Sequence, residues 1–144
     1  MIERGRGPIQ PVFTVILCLF LAPACDEKNP AGPTVRIGEQ FVLAPGESAS
    51  IAGTRVRLRF ERVANDSRCP IDAICVQAGD AVVVIELTDD NGSSRYELTI
   101  NAVGRKAVSR GNLRIEAVEL QPYPISSRPT DPAAYRATFT VVAA

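Results

Sequence analysis

Histidine and tryptophan are absent from this chain of 144 residues, and aromatic residues make up only 6% of it. Without histidine there is no imidazole base to activate a catalytic serine or cysteine. A zinc site is disfavoured too, since such sites draw four ligands mostly from cysteine and histidine. The sequence also lacks a G-x-S-x-G motif and a glycine-rich phosphate loop. It is therefore predicted not to be an enzyme and to hold no metal or cofactor.

An excess of charge of one sign is also missing. Sixteen lysine and arginine residues balance sixteen aspartate and glutamate residues, which gives a net charge of zero. A nucleic-acid-binding domain normally carries a clear basic excess. The composition therefore argues against a nucleic-acid partner, and the length is that of one domain.

The N-terminal residues are typical of an export signal. Two arginines precede an apolar segment, residues 11–22, which is shorter than the roughly 20 apolar residues of a membrane span. The following residues LAPAC (21–25) resemble the lipobox of bacterial lipoproteins, in which the cysteine becomes the lipidated N-terminus. We expect residues 1–24 to be a signal peptide and Cys25 to carry the lipid. A signal cut without lipidation and an uncleaved anchor are the alternatives.

This interpretation divides the chain and gives it a location. Residues 25–34 are polar and contain proline and glycine, so they are predicted to be a tether. Residues 35–144 are predicted to form the folded domain, as a monomer. We expect the protein to be exported and anchored to a bacterial membrane, facing the periplasm or the cell exterior. Besides that membrane, the expected partner is an envelope protein or an anionic ligand.

Polar and apolar residues alternate with a period of two from Arg36 onward, which predicts strands rather than helices. About seven short strands are expected, the first at Arg36–Leu43. They predict an all-β domain, an antiparallel β-sandwich of immunoglobulin-like or partly open barrel form. The alternation slips near Glu61-Arg62, which indicates a β-bulge.

A hairpin is the most sharply defined part of this prediction. Asn91-Gly92 is the preferred pair for a two-residue type I′ turn. It predicts a register in which Ile85 faces Leu98 and Leu87 faces Tyr96, so that apolar pairs fall on one face.

An up-and-down order of the strands predicts which loops lie together. Loop 64–80 then shares one end of the domain with the connection 102–111. The aspartates of that loop are expected near Arg105 and Arg110. The proline-rich loop 121–135 is expected at the opposite end.

Cys69 and Cys75 are the two cysteines of the predicted domain. A redox pair is normally Cys-x-x-Cys beside a βαβ unit, whereas five residues separate these two. An exported protein meets an oxidising environment, in which a disulfide forms and persists. We therefore predict a disulfide that closes this short loop and stabilises the fold by on the order of 2 kcal/mol.

The residues around the cysteines carry a resemblance. DSRCP (66–70), Cys75 and AGDA (78–81) resemble the D-S-R-C-P…C-x-W-A-G-x-A signature of a group of uncharacterised exported bacterial proteins, often lipoproteins. The resemblance covers residues 41–141 and implies no activity. Gln77 stands where that group usually has tryptophan, which weakens any binding role at this position.

The disulfide loop is the candidate recognition site, through Asp66, Ser67, Arg68, Asp72 and Gln77. A loop held on a rigid sandwich can contact a partner at a low ordering cost. A local interpretation competes, in which Asp66 caps a turn and Arg68 pairs with Asp66 or Asp72. The expected function is a non-catalytic, lipid-anchored envelope domain that presents this loop. The alternative is a purely structural envelope-accessory lipoprotein with no dedicated ligand site.

Two further features each allow two interpretations. The row of Arg55, Arg57 and Arg59 either binds an anionic surface or is the solvated face of a strand, and the second is favoured. The proline-rich loop 121–135 is expected to be ordered. Its Tyr123 either covers the edge of the core or is offered to a partner.

Overall fold

The computed structural model describes residues 32–101 and 106–144, and its regular structure is almost entirely β-strand. One short 3-10 helix, Pro132–Ala134, is present in these residues. The nine strands found there are β1 Thr34–Val35, β2 Gln40–Leu43, β3 Ser48–Ile51, β4 Arg57–Asp66, β5 Ala81–Asp89, β6 Gly92–Ile100, β7 Ala107–Arg110, β8 Leu113–Gln121 and β9 Arg136–Ala143. The all-β prediction is confirmed.

The strands form two sheets that pack face to face. The first has the order β1-β3-β4-β5-β6 and the second has the order β2-β9-β8-β7. All neighbours are antiparallel except β1 and β3, which are parallel. Between the sheets, the rings of Phe60 and Phe139 meet edge to face with centroids 5.9 Å apart. The predicted antiparallel sandwich is confirmed.

Two more strands are found than the sequence predicts. The predicted first strand, Arg36–Leu43, is shortened to β2, and β1 lies just before it in the chain and in the other sheet. The break between them is a turn that contains Gly38, whose φ of 91° is readily adopted only by glycine. The other addition is β7, which lies within the predicted connection 102–111 and pairs with β8.

The arginine row next to and on β4 is a solvent-exposed face. Leu58 points into the core and is fully buried, whereas the arginines on either side of it are exposed. Arg59 lies opposite Glu86 of β5, and Arg55 Nη1 lies 2.6 Å from Asp90 Oδ2. The interpretation of this row as a solvated strand face is confirmed.

Bulges interrupt the β4–β5 and β8–β9 ladders. The bulge predicted near Glu61-Arg62 is confirmed as a register shift at residues 60–62, and β4 has a second one at residues 63–65. In β8 a similar shift occurs at residues 117–119. Each bulge increases the local twist of its strand.

The predicted hairpin is present, but its turn and register differ. Asp89 lies opposite Gly92 and Ile85 opposite Tyr96, two residues away from the predicted pairing. A type I′ turn needs a positive φ at both central residues, and the φ of Asn91 is not positive. Asp89 instead accepts the backbone N–H of Asn91 at 2.8 Å, and an aspartate first with a glycine last favours a type I turn. Because the shift is even, every side chain keeps its predicted face.

The strand directions within each sheet fit the predicted up-and-down alternation, but neighbouring strands are not always successive in the chain. β2 pairs with the last strand, β9, because short turns carry the chain across the sandwich after β1 and again after β2. The predicted place of the proline-rich loop 121–135 is wrong. The additional strand β7 carries the chain along the domain once more, so this loop lies against the disulfide loop 64–80 rather than at the opposite end. The contact includes a hydrogen bond from Ile71 N–H to the carbonyl of Pro124 at 3.0 Å.

Some predicted features fall outside the described residues: the signal peptide 1–24, the lipidation site Cys25 and Arg105. Arg110 is described, and it does not lie near the disulfide loop. Its Nη2 is 2.7 Å from Oδ1 of Asp89, at the hairpin between β5 and β6, so the predicted contact with the loop aspartates is wrong. In the described part of the chain, no helix has the length and apolar character needed to cross a membrane.

Candidate functional site

The loop between β4 and β5 is closed by a disulfide. Cys69 and Cys75 are bonded, and their Cα atoms are 5.9 Å apart, within the range usual for disulfides. The predicted bridge is therefore confirmed. We call residues 66–69 and 78–80 the loop base and residues 70–77 the loop tip.

The loop base contains a buried ion pair. The side chains of Arg68 and Asp66 are only 1% and 8% exposed. Arg68 Nε and Nη2 donate to the two carboxylate oxygens of Asp66 at 2.8 and 2.7 Å, the paired geometry that makes such bonds strong. Asp66 Oδ1 also accepts the backbone N–H of Arg68 at 3.3 Å. The local interpretation is confirmed, and the partner of Arg68 is Asp66 rather than Asp72.

This ion pair is connected to the residues before and after the proline-rich loop. Arg68 donates further hydrogen bonds to two backbone carbonyls, those of Leu120 and Pro122. The hydroxyl of Tyr135 donates to Asp66 Oδ2 at 3.0 Å. The ring of Tyr123 covers the guanidinium at 4.5 Å, a cation–π contact, so Tyr123 serves as a cover. We call Asp66, Arg68, Tyr123 and Tyr135 the loop clamp.

The carboxyl groups of Asp66 and Asp72 are ionised at neutral pH. Burial raises the pKa of Asp66, but the hydrogen bonds and charge of Arg68 outweigh that effect and hold the pKa below its usual value. Hydrogen bonds from Ser126 lower the pKa of Asp72. Burial raises the pKa of Tyr135, whose hydroxyl therefore stays protonated as a donor to Asp66. Neither aspartate has the raised pKa typical of a general acid.

The two sides of the loop base are joined by short hydrogen bonds. The N–H of Ser67 donates to the carbonyl of Asp80 at 2.7 Å, and the N–H of Cys69 to that of Ala78 at 2.8 Å. The hydroxyl of Ser67 also lies 3.0 Å from Asp80 Oδ1. Between them, Gly79 has a φ of 65°, and a Cβ there would lie 1.9 Å from the carbonyl oxygen of Ser67. Only glycine fits at this position.

The loop tip exposes three large aliphatic side chains. Ile71 is 70% exposed, and Ile74 and Val76 are each 104% exposed. These three residues are not among the predicted recognition residues, because aliphatic residues usually belong to the core. A signal was nevertheless present: Ile74 and Val76 flank Cys75, and a ring this short cannot reach back to the core.

One side of the loop tip rests on the proline-rich loop. The carboxylate of Asp72 accepts the N–H of Ser126 at 2.8 Å and its hydroxyl at 2.7 Å. Together with the bond from Ile71 N–H to the Pro124 carbonyl, this contact and the disulfide hold the tip in one position relative to the sandwich.

The five predicted recognition residues lie in three different settings. Asp66 and Arg68 are buried in the loop clamp, and Ser67 is hydrogen-bonded across the loop base. Asp72 is exposed but bound by the proline-rich loop. Gln77 is exposed and makes no hydrogen bond to any described residue. The structure therefore does not bring these five side chains together on one surface.

A groove of about 890 Å³ lies beside the loop. One wall is residues 61–66 of β4, and the other includes Pro124, Pro129 and Pro132 of the proline-rich loop. This groove is not predictable from the sequence, because its walls are far apart in the chain and share no periodic pattern.

Comparison with protein-family models, with curated proteins and with solved structures yields no match to this chain. The resemblance to exported bacterial proteins therefore stays a prediction. Within residues 32–101 and 106–144, no group of three or more acidic or cysteine side chains is arranged to hold a metal ion.

Proposed function

We propose that this chain is a non-catalytic, lipid-anchored domain of the cell envelope that presents its loop tip to a protein partner. The observation that carries the proposal is the full exposure of Ile74 and Val76 on a loop closed by a disulfide. Exposed aliphatic side chains gain free energy when a partner covers them. A loop already fixed in one conformation loses little entropy on binding.

The charge of the loop supports a protein partner rather than an anionic membrane surface. Residues 69–80 contain Asp72 and Asp80 but neither lysine nor arginine. Segments that insert apolar side chains into anionic membranes usually carry basic residues beside them. We therefore expect the partner to offer an apolar pocket with neutral or basic surroundings.

The binding role is tested by cross-linking followed by direct binding. A photo-reactive phenylalanine analogue replaces Ile74 and, as a control, Val42 of β2, which is 54% exposed on the sandwich. A discrete cross-linked protein is expected from position 74 and not from position 42. Once purified, that protein should bind Ile74→Ser/Val76→Ser about tenfold more weakly than the wild type and Val42→Ser equally well. Equal binding to the wild type and to both variants would contradict the proposal.

The lipid anchor is supported by the residues LAPAC (21–25) alone. Palmitate labelling in cells tests it. Label is expected on the wild type and on Cys18→Ser, because the predicted cleavage removes Cys18. Cys25→Ser should carry no label and should be released from membranes or stay unprocessed. Label that persists in Cys25→Ser would show that the lipobox interpretation is wrong.

A second candidate function is a purely structural envelope-accessory lipoprotein with no dedicated ligand site. It is favoured by the internal use of Asp66, Ser67 and Arg68, whose side chains bond within the chain. In that case Ile74→Ser/Val76→Ser leaves the set of cross-linked proteins and the integrity of the envelope unchanged. The cross-linking experiment therefore distinguishes the two functions.

A further inference from the structure

Half of β4 has a strand on only one side. β3 pairs with Arg57–Arg59, and the last backbone bonds on that side join Phe60 to Gly46 and Glu47. The chain before this point turns at Pro45 toward β2 in the other sheet. Beyond Phe60, the side of β4 that faces away from β5 therefore has no described strand beside it.

The groove follows this open edge. Its wall is formed by the successive residues 61–66. The groove is also lined by Pro45, next to Gly46, whose N–H donates to the carbonyl of Phe60 on the side of β4 that faces away from β5. The groove therefore lies on this open side of the strand. Residues 61–65 make no backbone hydrogen bond outside the β4–β5 ladder with any described residue.

The opposite wall does not complete the ladder, because none of its residues makes a backbone hydrogen bond to residues 61–65. It includes Pro124, Pro129 and Pro132, and proline has no backbone N–H to donate. An occupant of the groove would therefore pair with β4 on one side and contact apolar rings on the other.

The charges of the groove are unbalanced. Glu61 Oε1 lies 2.9 Å from Arg95 Nε, and Asp66 is neutralised within the loop clamp. Arg62 and Arg128 are exposed and form no ion pair with a described residue. The groove therefore offers two positive charges to whatever occupies it.

We propose that this groove binds an extended acidic peptide segment of a partner protein, which adds to the open edge of β4 in line with β3. Strand addition of this kind takes affinity from main-chain hydrogen bonds and specificity from side-chain contacts. The edge is six residues long, so it accepts a segment of about 20 Å. The two bulges in β4 twist the edge, which disfavours long pairing between two copies of the chain.

Selection from a library of random peptides of about ten residues, displayed on phage, tests the proposal. The purified protein is the bait, and Arg62→Glu/Arg128→Glu is the bait for counter-selection. Peptides that are acidic and free of proline in their central part are expected. Synthetic copies should bind the reversed variant at least about tenfold more weakly. Arg57→Glu/Arg114→Glu changes charge equally at exposed positions outside the groove, and binding to it should match the wild type within about twofold.

A second comparison isolates the main-chain contacts. The best peptide is made with alternate backbone nitrogens methylated, which removes donors and keeps the side chains. Loss of at least about tenfold in affinity is expected. The proposal is overturned if no selected peptide distinguishes the wild type from the reversed variant, or if methylation has no effect. The proposal is also overturned if sedimentation shows that the wild type is a dimer and Arg62→Glu/Arg128→Glu is a monomer. That result would assign the edge of β4 to a second copy of the chain. Ile74→Ser/Val76→Ser should bind the peptide normally, which keeps this test independent of the loop tip.

Discussion

The base and the tip of the disulfide loop reverse the usual distribution of side chains. In the base, the charged side chains of Asp66 and Arg68 are buried, whereas in the tip Ile74 and Val76 are fully exposed. Buried charges are normally retained only where they are paired, and the base meets that condition. The exposed aliphatic residues of the tip contribute nothing to the core.

Within this one loop, the residues that stabilise the fold are therefore different from those that are exposed to a partner. The D-S-R-C and A-G-D stretches supply the ion pair of the clamp, one cysteine of the disulfide and the hydrogen bonds of the base. They hold the loop on the sandwich but present little to a partner. The side chains available for recognition lie between these stretches, so the resemblance marks a scaffold rather than a contact surface.

The largest expected effect comes from breaking the clamp. Arg68→Ala leaves the carboxylate of Asp66 buried and unpaired, so we expect the free energy of unfolding to fall by about 3–5 kcal/mol. Urea unfolding measures the change, with exposed Arg59→Ala as the control. The double variant Asp66→Leu/Arg68→Met should lose less than Arg68→Ala, because it leaves no buried charge. A loss below about 1 kcal/mol in Arg68→Ala, as for a surface pair, would contradict the buried role.

The next largest effect is expected at Gly79, which lies close to the backbone of Ser67 in the loop base. Gly79→Ala combines a positive φ with a Cβ 1.9 Å from a backbone oxygen. We expect a loss of more than about 2 kcal/mol, above the cost of the left-handed conformation alone. Gly53→Ala is the matched control, since Gly53 has a φ of 73° and nothing within 4 Å of the added Cβ. Equal losses in the two variants would show that the base can open to accept the methyl group.

A smaller effect is expected on the pH dependence of stability, to which Asp66 and Asp72 should contribute differently. The pKa of Asp66 is lowered in the folded protein, so its contribution to stability is present above the unfolded-state pKa of about 3.9 and is lost as pH falls through the folded-state pKa. Asp66→Asn should therefore be less stable at neutral pH and should lose less stability than the wild type on acidification. Asp72→Asn should change this dependence less, because Asp72 is exposed. Urea titrations at a series of acidic pH values compare the slopes, and a larger change in Asp72→Asn would reverse the assignment.

The smallest effect on stability is expected at the tip. Ile74→Ser/Val76→Ser should change the free energy of unfolding by no more than about 0.5 kcal/mol, as for surface substitutions. Leu98→Ala, a buried residue of β6, should cost about 2–5 kcal/mol in the same assay. A loss above about 1 kcal/mol in the tip variant would mean that the tip packs on the domain and is not free for a partner.

The sequence by itself determined the local features of this fold. Alternation placed Leu58 in the core, and its slip located the bulge at residues 60–62. The spacing of Cys69 and Cys75, with the expectation of an oxidising compartment, predicted their disulfide. Each of these depends on residues close together in the chain, where the two-residue period of a strand leaves a direct pattern.

Only the tertiary structure decided which segments meet. The additional strand β7, which pairs with β8, placed the proline-rich loop against the disulfide loop, and this contact created both the clamp and the groove. The hairpin register was set by a turn that begins at Asp89, whose carboxylate also holds Arg110 of another strand. A period of two fixes the face on which a side chain lies. It carries no information on pairing partners, because strands of either sheet alternate in the same way.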